Sequence, residues 1–279
     1  MNVGIIGQGF VGSAIKVGLE NFHNIKTYDI NEQKFNSTLS EVCLNSEIVF
    51  LCLPTPMRKD GSCDIRIIES SLMEIEKILN QNHREPKHAD FLRQPSARKI
   101  IVIKSTIPPG TTEYFSKTFT KFDLCFSPEF LTEANSYEDF KNQTRIIIGG
   151  PRPATGMIKQ MFRKAFPTIP IVKTGTKTAE MVKYFTNCFL ASKVTFANQM
   201  FQICNDNNID YDKVCEYALY DERIGKSHLA VPGPDGDLGF GGHCFPKDLA
   251  AMIAFGSIND GDTSFLEAVQ DYNDVCRRI

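Results

Sequence analysis

The chain has 279 residues, 42% of them hydrophobic and 23% charged, which is typical of a soluble globular protein with room for two domains. Its formal net charge is −2, and basic and acidic residues are spread along the whole sequence. This composition excludes a basic nucleic-acid-binding protein and a binder of anionic lipid, so we expect a small-molecule partner.

Two further features bear on the cellular location. The longest fully apolar run, residues 48–53, is too short to cross a bilayer, and the first ten residues lack the basic region of a signal peptide. The nine cysteines form no C-x-x-C pair, and their odd number argues against a disulfide framework. We therefore expect a cytoplasmic protein with reduced thiols and no membrane contact.

Short β-type runs alternate with helical segments through the first part of the sequence. They cover residues 3–6, 25–28, 48–53, 99–103, 124–126, 146–148 and 169–172. Such alternation predicts a parallel sheet with helices on both faces. The expected fold class is α/β, with a Rossmann-like doubly wound parallel sheet in a first domain at residues 1–175.

A glycine-rich turn, residues 7–12 (GQGFVG), joins the first predicted strand to the first helix. In such a turn Gly7 allows the tight bend, Gly9 admits a pyrophosphate, and Gly12 lets the helix approach the strand. The second predicted strand ends in Asp29, whose carboxylate can accept both ribose hydroxyls and would repel a 2′-phosphate. The pattern predicts an NAD site; the alternative is a glycine turn with a chance aspartate.

Two polar features of this first domain have both a functional and a solvated interpretation. Lys34, five residues after Asp29, either reaches the adenosine end of a dinucleotide or is an ordinary surface lysine. Residues 83–98 contain two prolines and no periodicity, which predicts an exposed loop. Although this loop carries His83 and His88, no nearby cysteine or carboxylate completes a ligand set, so we expect no metal site.

Two carboxylates follow the predicted strand at residues 124–126. Glu129 and Glu133 are four residues apart, the spacing that places two side chains on one face of a helix. The ligand crevice of an open α/β sheet lies at this end of its strands. A functional pair and a solvated helix face are equally good interpretations of this pattern.

After residue 175 the pattern changes to helical. Residues 178–208 contain no glycine or proline and repeat apolar residues at helical spacing, which predicts a helix of about 45 Å. The rest of the sequence is also expected to be helical, including a last helix at residues 264–279, except for one glycine-rich loop. We therefore predict a second, all-helical domain at residues 176–279 with one long central helix.

Lys183 and Asn187 lie four residues apart on one face of the long helix. Their neighbours Met181, Val182, Tyr184 and Phe185 are apolar or aromatic, so we expect them to be packed and the lysine to need a partner. An ammonium and a carboxamide in this arrangement can bind a developing oxyanion. A lysine whose charged end reaches solvent beside a core helix is the alternative.

Cys244 stands between a glycine-rich loop, residues 231–242, and a helix that is predicted to begin near Pro246. Backbone N–H groups at the start of that helix and the neighbouring Lys247 both favour the thiolate over the thiol. We therefore predict that Cys244 is a nucleophile. The alternative is a small buried hydrophobic residue, which is our interpretation of the other eight cysteines.

Five signatures occur in the order found in UDP-glucose/GDP-mannose dehydrogenases. They are the Gly7 turn, residues 104–110 (KSTIPPG), residues 128–133 (PEFLTE), the Lys183 helix and residues 239–248 (GFGGHCFPKD). The chain resembles that family, most of all its UDP-glucose 6-dehydrogenase type, over almost its whole length.

The resemblance implies a four-electron oxidation of the C6 alcohol of a nucleotide sugar, with two NAD reduced in turn. Cys244 is matched to the nucleophile, which forms a thiohemiacetal and then a thioester. Lys183 and Asn187 match the oxyanion-stabilising pair, and Asp248 matches the carboxylate that positions Lys183 and water. Glu129 matches the residue that activates water for hydrolysis of the thioester.

The resemblance also implies the groups around the cofactor and the sugar. Thr106 and Glu133 match residues that organise the cofactor and catalytic water, and Arg223 matches an arginine that reaches a neighbouring subunit's sugar site. A homodimer through the long helix is implied as well. The implied NAD contacts are Gly7, Gly9, Phe10, Val11, Gly12, Asp29, Lys34, Pro54, Thr55, Ser105, Thr106, Glu133 and Lys247. The implied substrate contacts are Glu129, Phe130, Leu131, Lys183, Asn187, Arg223, Phe240, Gly241 and Gly242.

The sequence departs from the family pattern in its length, and other interpretations remain open. Family members usually continue into a third, UDP-binding domain, whereas this sequence stops at Ile279. It is expected either to act in this short form or to be completed by another polypeptide. A β-hydroxyacid dehydrogenase, which also has lysine and asparagine four apart on a long helix, would carry out a single two-electron oxidation. A non-catalytic NAD-binding subunit is the third interpretation.

Overall fold

The computed structural model describes residues 1–82 and 98–278. The loop predicted at residues 83–98, with its two histidines, therefore lies outside the described residues except for Arg98. Contacts between residues divide the chain into two compact units. The first unit comprises Met1–Thr55 and Asp64–Lys183, and the second comprises Pro56–Cys63 and Tyr184–Ile279. The domain limits at residues 1–175 and 176–279 stay a prediction.

The first unit contains a seven-stranded sheet with the strand order β2-β1-β3-β4-β5-β6-β7. The α/β fold class and all seven predicted strands are confirmed. The strands are β1 (Asn2–Ile6), β2 (Asn24–Tyr28), β3 (Ile48–Leu51), β4 (Ile100–Ile103), β5 (Asp123–Phe126), β6 (Ile146–Gly149) and β7 (Ile171–Thr174).

The expected all-parallel sheet needs one correction. Strands β5 and β6 pair in antiparallel fashion, through Phe126 and Gly149, while every other neighbouring pair is parallel. A parallel crossover must carry the chain back along the sheet before the next strand can begin. The helix between these strands, α5 (Ser136–Lys141), has six residues and spans only about 9 Å, so the chain enters β6 from the end at which β5 finished.

Helices cover both faces of the sheet, as predicted. Strands β3 and β4 are completely buried, and their side chains alternate between two hydrophobic clusters, as the two-residue period of a strand requires. Besides α5, the helices that cover the sheet are α1 (Phe10–Leu19), α2 (Leu39–Asn45), α3 (Arg66–Gln81), α4 (Thr111–Thr118) and α6 (Ala154–Ala165). One cluster includes residues of α1, α5 and α6, and the other includes residues of α2, α3 and α4.

The predicted long helix is present as α7 (Thr176–Asp206), with both ends two residues earlier than predicted. Its 31 residues span about 46 Å. The helix ends because Asn208 adopts a left-handed conformation (φ +53°) and the N–H of Ile209 donates to the carbonyl of Cys204 at 2.8 Å. The boundary between the two compact units falls within this helix, after Lys183.

The regular structure of the second unit is helical, as expected. After α7 come α8 (Tyr211–Ala218), α9 (Phe245–Ile258) and α10 (Ser264–Cys276). The last helix was predicted to reach residue 279, but it ends at Cys276. Across the described part of the chain, no helix is both long enough and apolar enough to span a membrane.

Candidate active site

The glycine-rich turn between β1 and α1 has the geometry that dinucleotide binding requires. Gly7 has a φ of +92°, and a Cβ atom on it would lie 2.3 Å from the carbonyl oxygen of Cys52. A Cβ on Gly12 would lie 1.9 Å from the carbonyl oxygen of Gly7. No atom lies within 4 Å of a Cβ placed on Gly9, which caps the N-terminus of α1. The turn is thus closed on the protein side and open on the side where a pyrophosphate would approach.

Asp29 lies beside this turn, at the end of β2. One carboxylate oxygen accepts a hydrogen bond from the N–H of Gln8 at 2.5 Å, and the other accepts from the N–H of Asn31 at 2.8 Å. The acid predicted to bind a ribose is therefore held against the phosphate-binding turn. Lys34 lies in a short 3-10 turn, Glu32–Lys34, with its side chain exposed. The residues present fit NAD.

The predicted cofactor contacts after β3 and β4 lie next to each other. The hydroxyl of Ser105 accepts a hydrogen bond from the N–H of Leu53 at 2.9 Å. The hydroxyl of Thr55 donates to the carbonyl of Thr106 at 2.8 Å. Since these strands are neighbours in a parallel sheet, their carboxyl ends bring Pro54, Thr55, Ser105 and Thr106 to the same edge as Gly7.

Lys183 and Glu129 form a buried ion pair. The Lys183 ammonium donates to Glu129 Oε1 and to the carbonyl of Glu129, both at 2.9 Å. Both side chains are less than 10% exposed, and the second Glu129 oxygen accepts from the N–H of Leu131 at 2.6 Å. The prediction that Lys183 needs a partner is confirmed, and the alternative of a lysine that reaches solvent is wrong.

One alternative and one prediction about the surroundings of this pair are wrong. The alternative of a solvated helix face for Glu129 and Glu133 is wrong, because residues 127–132 are irregular, α5 begins only at Ser136, and Glu129 is buried while Glu133 is exposed. Val182 and Tyr184 are packed as expected, but Met181 is 39% and Phe185 is 70% exposed. The spacing of apolar residues in the sequence predicts a helix, but it does not show which of these residues face the core.

Lys104 is a second buried lysine at this edge of the sheet, and sequence reasoning treated it only as part of a motif. Its ammonium donates to the carbonyl of Pro128 at 3.0 Å and lies 3.5 Å from the hydroxyl of Ser127. Burial lowers the pKa of Lys104 to about 8. The sequence did contain a signal for this buried lysine, because Lys104 follows the fully apolar strand β4 directly.

A pocket of about 260 Å³ opens next to these residues. Its lining includes Lys104, Glu129, Phe130, Leu131 and Arg145, so it contains three of the predicted substrate contacts, Glu129, Phe130 and Leu131. The guanidinium carbon of Arg145 lies 4.1 Å from the centroid of the Phe130 ring, a cation–π contact that orients the ring.

In the second unit, Cys244 is the N-cap residue of α9, and Pro246 lies in the first turn of that helix, as predicted. The cysteine side chain is partly exposed. Asp248, one turn further on, is buried; its carboxylate accepts from the amide of Asn187 at 2.6 Å and from the ammonium of Lys247 at 2.5 Å. The structure therefore brings Asn187, Lys247 and Asp248 together at the start of the cysteine helix.

The glycine-rich loop before Cys244 is held by side chains that sequence reasoning missed. The N–H of Gly239 donates to Asn198 at 2.8 Å, and the N–H of Phe240 donates to Asn273 at 2.6 Å. The amide of Asn273 donates back to the carbonyl of Phe240 at 3.1 Å. Arg277 pairs with Asp235 and Asp237 of the same loop, at 2.7 Å and 2.9 Å.

The other predicted substrate contacts of this unit differ in exposure. The Phe240 side chain is buried and packs against Phe245, so only its backbone is available to a ligand. Gly242 is exposed, and Gly241 lies close to the Arg277 guanidinium. The Arg223 side chain is 89% exposed and pairs with Asp221, two residues before it. An exposed arginine at this position is available to a neighbouring molecule.

Fold and local geometry together define a dinucleotide-binding protein with a cysteine poised at a helix N-terminus. Residues 32–166 match the NAD binding domain of the UDP-glucose/GDP-mannose dehydrogenase family, and residues 177–275 match the central domain of the same family. The chain is 31% identical over 250 residues to UDP-glucose 6-dehydrogenase TuaD of Bacillus subtilis (strain 168), covering 87% of this chain and 50% of that protein. It is 30% identical over 319 residues to UDP-glucose 6-dehydrogenase AglM of Haloferax volcanii, covering 98% and 70%.

A solved structure of a UDP-glucose dehydrogenase from Pyrobaculum islandicum superposes with a TM-score of 0.83 at 27% identity, over 98% of this chain and 68% of that one. The chain belongs to the UDP-glucose/GDP-mannose dehydrogenase family. NAD is its cofactor, since the first unit carries the NAD binding domain of that family. The chain spans between half and about 70% of the length of these relatives.

Proposed function

We propose that this chain is an NAD-dependent nucleotide-sugar dehydrogenase that oxidises the C6 alcohol of its substrate to a carboxylate, with UDP-glucose as the favoured sugar nucleotide. The observation that carries the proposal is the placement of Cys244 at the N-terminus of α9, one turn before the buried Asn187–Asp248–Lys247 group. A glycine turn and an acid that fit NAD, in the same chain, support it.

Bound NAD would accept a hydride in each of two successive oxidations. Gly7, Gly9 and Gly12 would hold its pyrophosphate and Asp29 its adenosine ribose, with Phe10, Val11, Lys34, Pro54, Thr55, Ser105, Thr106, Glu133 and Lys247 as further contacts.

Cys244 would act as the nucleophile. The sugar alcohol is first oxidised to the aldehyde by loss of two electrons and two protons. The thiolate then forms a bond to the aldehyde carbon, and the carbonyl oxygen becomes the oxyanion of a thiohemiacetal. A second two-electron oxidation leaves a thioester, and attack by water releases the carboxylate and returns the thiol. Location at a helix N-terminus favours the thiolate that this scheme needs.

The oxyanions along this route need hydrogen-bond donors, and two side chains of α7 can supply them. Asn187 donates one amide hydrogen to Asp248, which fixes its orientation and leaves the second hydrogen for a ligand. Lys183 is a buried ammonium with its remaining donor capacity beside Phe130. Asp248 would in this way position Asn187 and Lys247; its predicted action on Lys183 stays a prediction.

Glu129 would take a proton from the water that hydrolyses the thioester. Its carboxylate is buried and fixed by Lys183 and by the N–H of Leu131, so the group is held in one orientation. Such fixing is what a general base needs, because the proton transfer depends on short and directed hydrogen bonds. Thr106 and Glu133 are proposed to organise the water and cofactor nearby.

The proposal includes a homodimer through α7. The exposed side chains of Phe185, Phe189, Phe196 and Ile203 lie on one face of this helix, and the first two rings stack with centroids 6.4 Å apart. An exposed apolar row of this kind marks a surface that packs against another protein. Arg223, exposed on the same unit, is the residue proposed to reach the partner's sugar site, and a cytoplasmic location completes the proposal.

The ratio of NADH formed to nucleotide sugar consumed tests the proposal. With UDP-glucose, the purified chain is expected to form two NADH per sugar, and Cys244→Ser is expected to reduce turnover by at least about a hundredfold, since it removes the nucleophile. The matched control is Cys215→Ser, which changes another partly buried cysteine of the same unit and should leave turnover unchanged. GDP-mannose and UDP-N-acetyl sugars, assayed in parallel, identify the preferred substrate.

Two outcomes would support the other interpretations. One NADH per substrate that persists in Cys244→Ser would favour a two-electron oxidation of the β-hydroxyacid type, in which a thiol has no role. NAD binding without turnover on any nucleotide sugar, alone or with candidate partner chains, would favour a non-catalytic subunit.

A further inference from the structure

Glu180, near the start of α7, is completely buried although it is a carboxylic acid. One carboxylate oxygen accepts a hydrogen bond from the N–H of Gly110 at 2.6 Å. The other accepts from the N–H of Thr112 at 2.8 Å and from its hydroxyl at 2.5 Å. Three donors from one short segment thus converge on a single side chain of a distant helix.

These donors are the N-terminal groups of α4. Gly110 is the N-cap residue of that helix, in a left-handed conformation (φ +95°), and it has no side chain with which to cap. The first N–H groups of a helix have no partner within the helix, and a carboxylate is favoured there by the helix dipole. Glu180 therefore supplies from α7 the cap that the sequence of α4 lacks.

The position of Glu180 on α7 links this cap to the candidate active site. Glu180 and Lys183 are three residues apart, so their side chains leave the helix on neighbouring positions. Glu180 bonds to the segment that follows β4, and Lys183 bonds to Glu129 in the segment that follows β5. Two buried charges thereby fasten the first two turns of α7 to the carboxyl ends of two neighbouring strands.

The carboxylate has both a cost and a benefit for stability. Burial raises the pKa of Glu180, which means that the loss of water disfavours its charged form. An apolar side chain would avoid that loss, but it would leave the three donors of α4 without this partner. Besides satisfying these donors, the three directed bonds fix the position of α7 along and around its axis.

We propose that Glu180 is a positioning residue for Lys183: by capping α4 it fixes the first turns of α7, so that the Lys183 ammonium meets the Glu129 carboxylate. The catalytic consequence rests on the proposed function, while the positioning of the lysine is a property of the first unit alone.

The test is the chemical reactivity of Lys183 in the full chain carrying Glu180→Gln. Glutamine has the same shape, but its NH2 group meets an N–H of α4 where an oxygen accepted before, so one cap bond is replaced by a repulsion between donors. Labelling with an amine-reactive acetylating reagent, followed by mass spectrometry, should show Lys183 reacting about tenfold faster than in the wild type. Lys121, exposed and outside both helices, serves as the internal reference and should react at an unchanged rate.

Glu113→Gln is the matched control variant. Glu113 lies in the first turn of α4 and pairs with Lys177 of α7 at 3.1 Å, so it joins the same two helices, but both side chains are largely exposed. Exposed ion pairs of this kind contribute little to stability, so the rate of Lys183 labelling should not change in this variant. Thr112→Val, which removes only the hydroxyl donor to Glu180, is a milder variant that should raise Lys183 labelling by a smaller factor even if Glu180→Gln fails to fold.

Activity provides the second readout. In a folded Glu180→Gln variant, kcat for the nucleotide sugar should fall about tenfold or more while the Kd for NAD stays within about twofold of the wild type. If the wild type has no turnover, the proposed function fails but the labelling result still decides the role of Glu180. Equal Lys183 labelling in the wild type, in folded Glu180→Gln and in Thr112→Val would overturn the inference.

Discussion

The two buried lysines at the carboxyl ends of β4 and β5 differ in their partners. Lys104 and Lys183 are both buried there, and Glu129 is the carboxylate between them that bonds to Lys183. Lys104 instead donates to backbone and hydroxyl oxygens of the segment before Glu129. Burial removes this ammonium from water, and its pKa is therefore lowered to about 8.

The lowered pKa predicts how Lys104→Met changes the pH dependence of stability. The pKa of Lys104 is about 8 in the folded chain and near the ordinary lysine value of 10.5 in the unfolded chain, so the unfolded chain binds more protons between these values. Stability contributed by this group therefore rises from about pH 8 to about pH 10.5. The free energy of unfolding of the wild type, minus that of Lys104→Met, should increase by roughly 3 kcal/mol across this window.

Urea denaturation at pH 7.5 and pH 10.5 measures this difference. Cysteines and tyrosines titrate in both proteins, so their contributions cancel when one free energy of unfolding is subtracted from the other. The exposed Lys34→Met is the control and should follow the wild type. A difference that stays constant with pH would contradict the assignment of a lowered pKa to Lys104.

The sequence predicted individual site residues best where a local motif places them. The Gly7 turn, Asp29 and Cys244 at the start of α9 each depend on neighbouring residues, and the structure has them where the motifs require. The partner of Lys183 was not predictable in this way. Glu129 is 54 residues distant, and only the order of strands in the sheet brings the two together.

At the scale of elements, the glycine-rich loop is shaped by side chains of two helices. Asn198 of α7 and Asn273 of α10 bind its backbone at Gly239 and Phe240, and Arg277 binds two of its aspartates. A Cβ on Gly239 would lie 2.6 Å from the Asn273 amide oxygen, so the loop runs too close to α10 for any side chain there. The end of α10 therefore helps to place the segment that leads to Cys244.

Removal of the Asn273 amide should loosen that segment. Asn273→Ala deletes two buried hydrogen bonds to Phe240, which should lower the free energy of unfolding by about 2 kcal/mol. It should also speed limited proteolysis within residues 231–242. The control is Asn259→Ala, which removes an exposed asparagine that bonds only one backbone carbonyl. Unchanged cleavage of the loop in Asn273→Ala would show that these bonds do not hold it.

Element positions followed from the sequence more closely than element directions did. Apolar runs and glycine or proline breaks located the seven strands of the described sheet, because those signals are local. The direction of β6, antiparallel to β5, depends on how far α5 carries the chain along the sheet. A helix of six residues is too short for its sequence pattern to show that distance. The alternative of a helix face for Glu129 and Glu133 was wrong for a related reason, since the spacing of two acids cannot distinguish a helical turn from an irregular segment.

At the scale of the whole molecule, the exposed apolar row on α7 is the surface proposed for the homodimer. Phe185, Phe189 and Phe196 are each at least 60% exposed, although aromatic side chains are usually packed. The double variant Phe185→Ser/Phe189→Ser should raise the dimer dissociation constant by at least about a hundredfold, because two large apolar contacts are lost. Sedimentation equilibrium at several protein concentrations provides the measurement.

Phe265→Ser is the control for that experiment, since Phe265 is similarly exposed but lies on α10. It should leave the dissociation constant unchanged. The proposed interface on α7 would be wrong if the wild-type chain sediments as a monomer at all concentrations. It would also be wrong if the double variant dimerises like the wild type.

The limits of the first compact unit have a consequence for attempts to isolate it. Its last residues, Thr176 to Lys183, are the opening turns of a helix that continues into the other unit. A polypeptide ended at residue 175 would leave the Glu129 carboxylate without its cation and the start of α4 without its carboxylate, both in the interior. An autonomous nucleotide-binding fragment should therefore retain these eight residues, with the helix cut only beyond them.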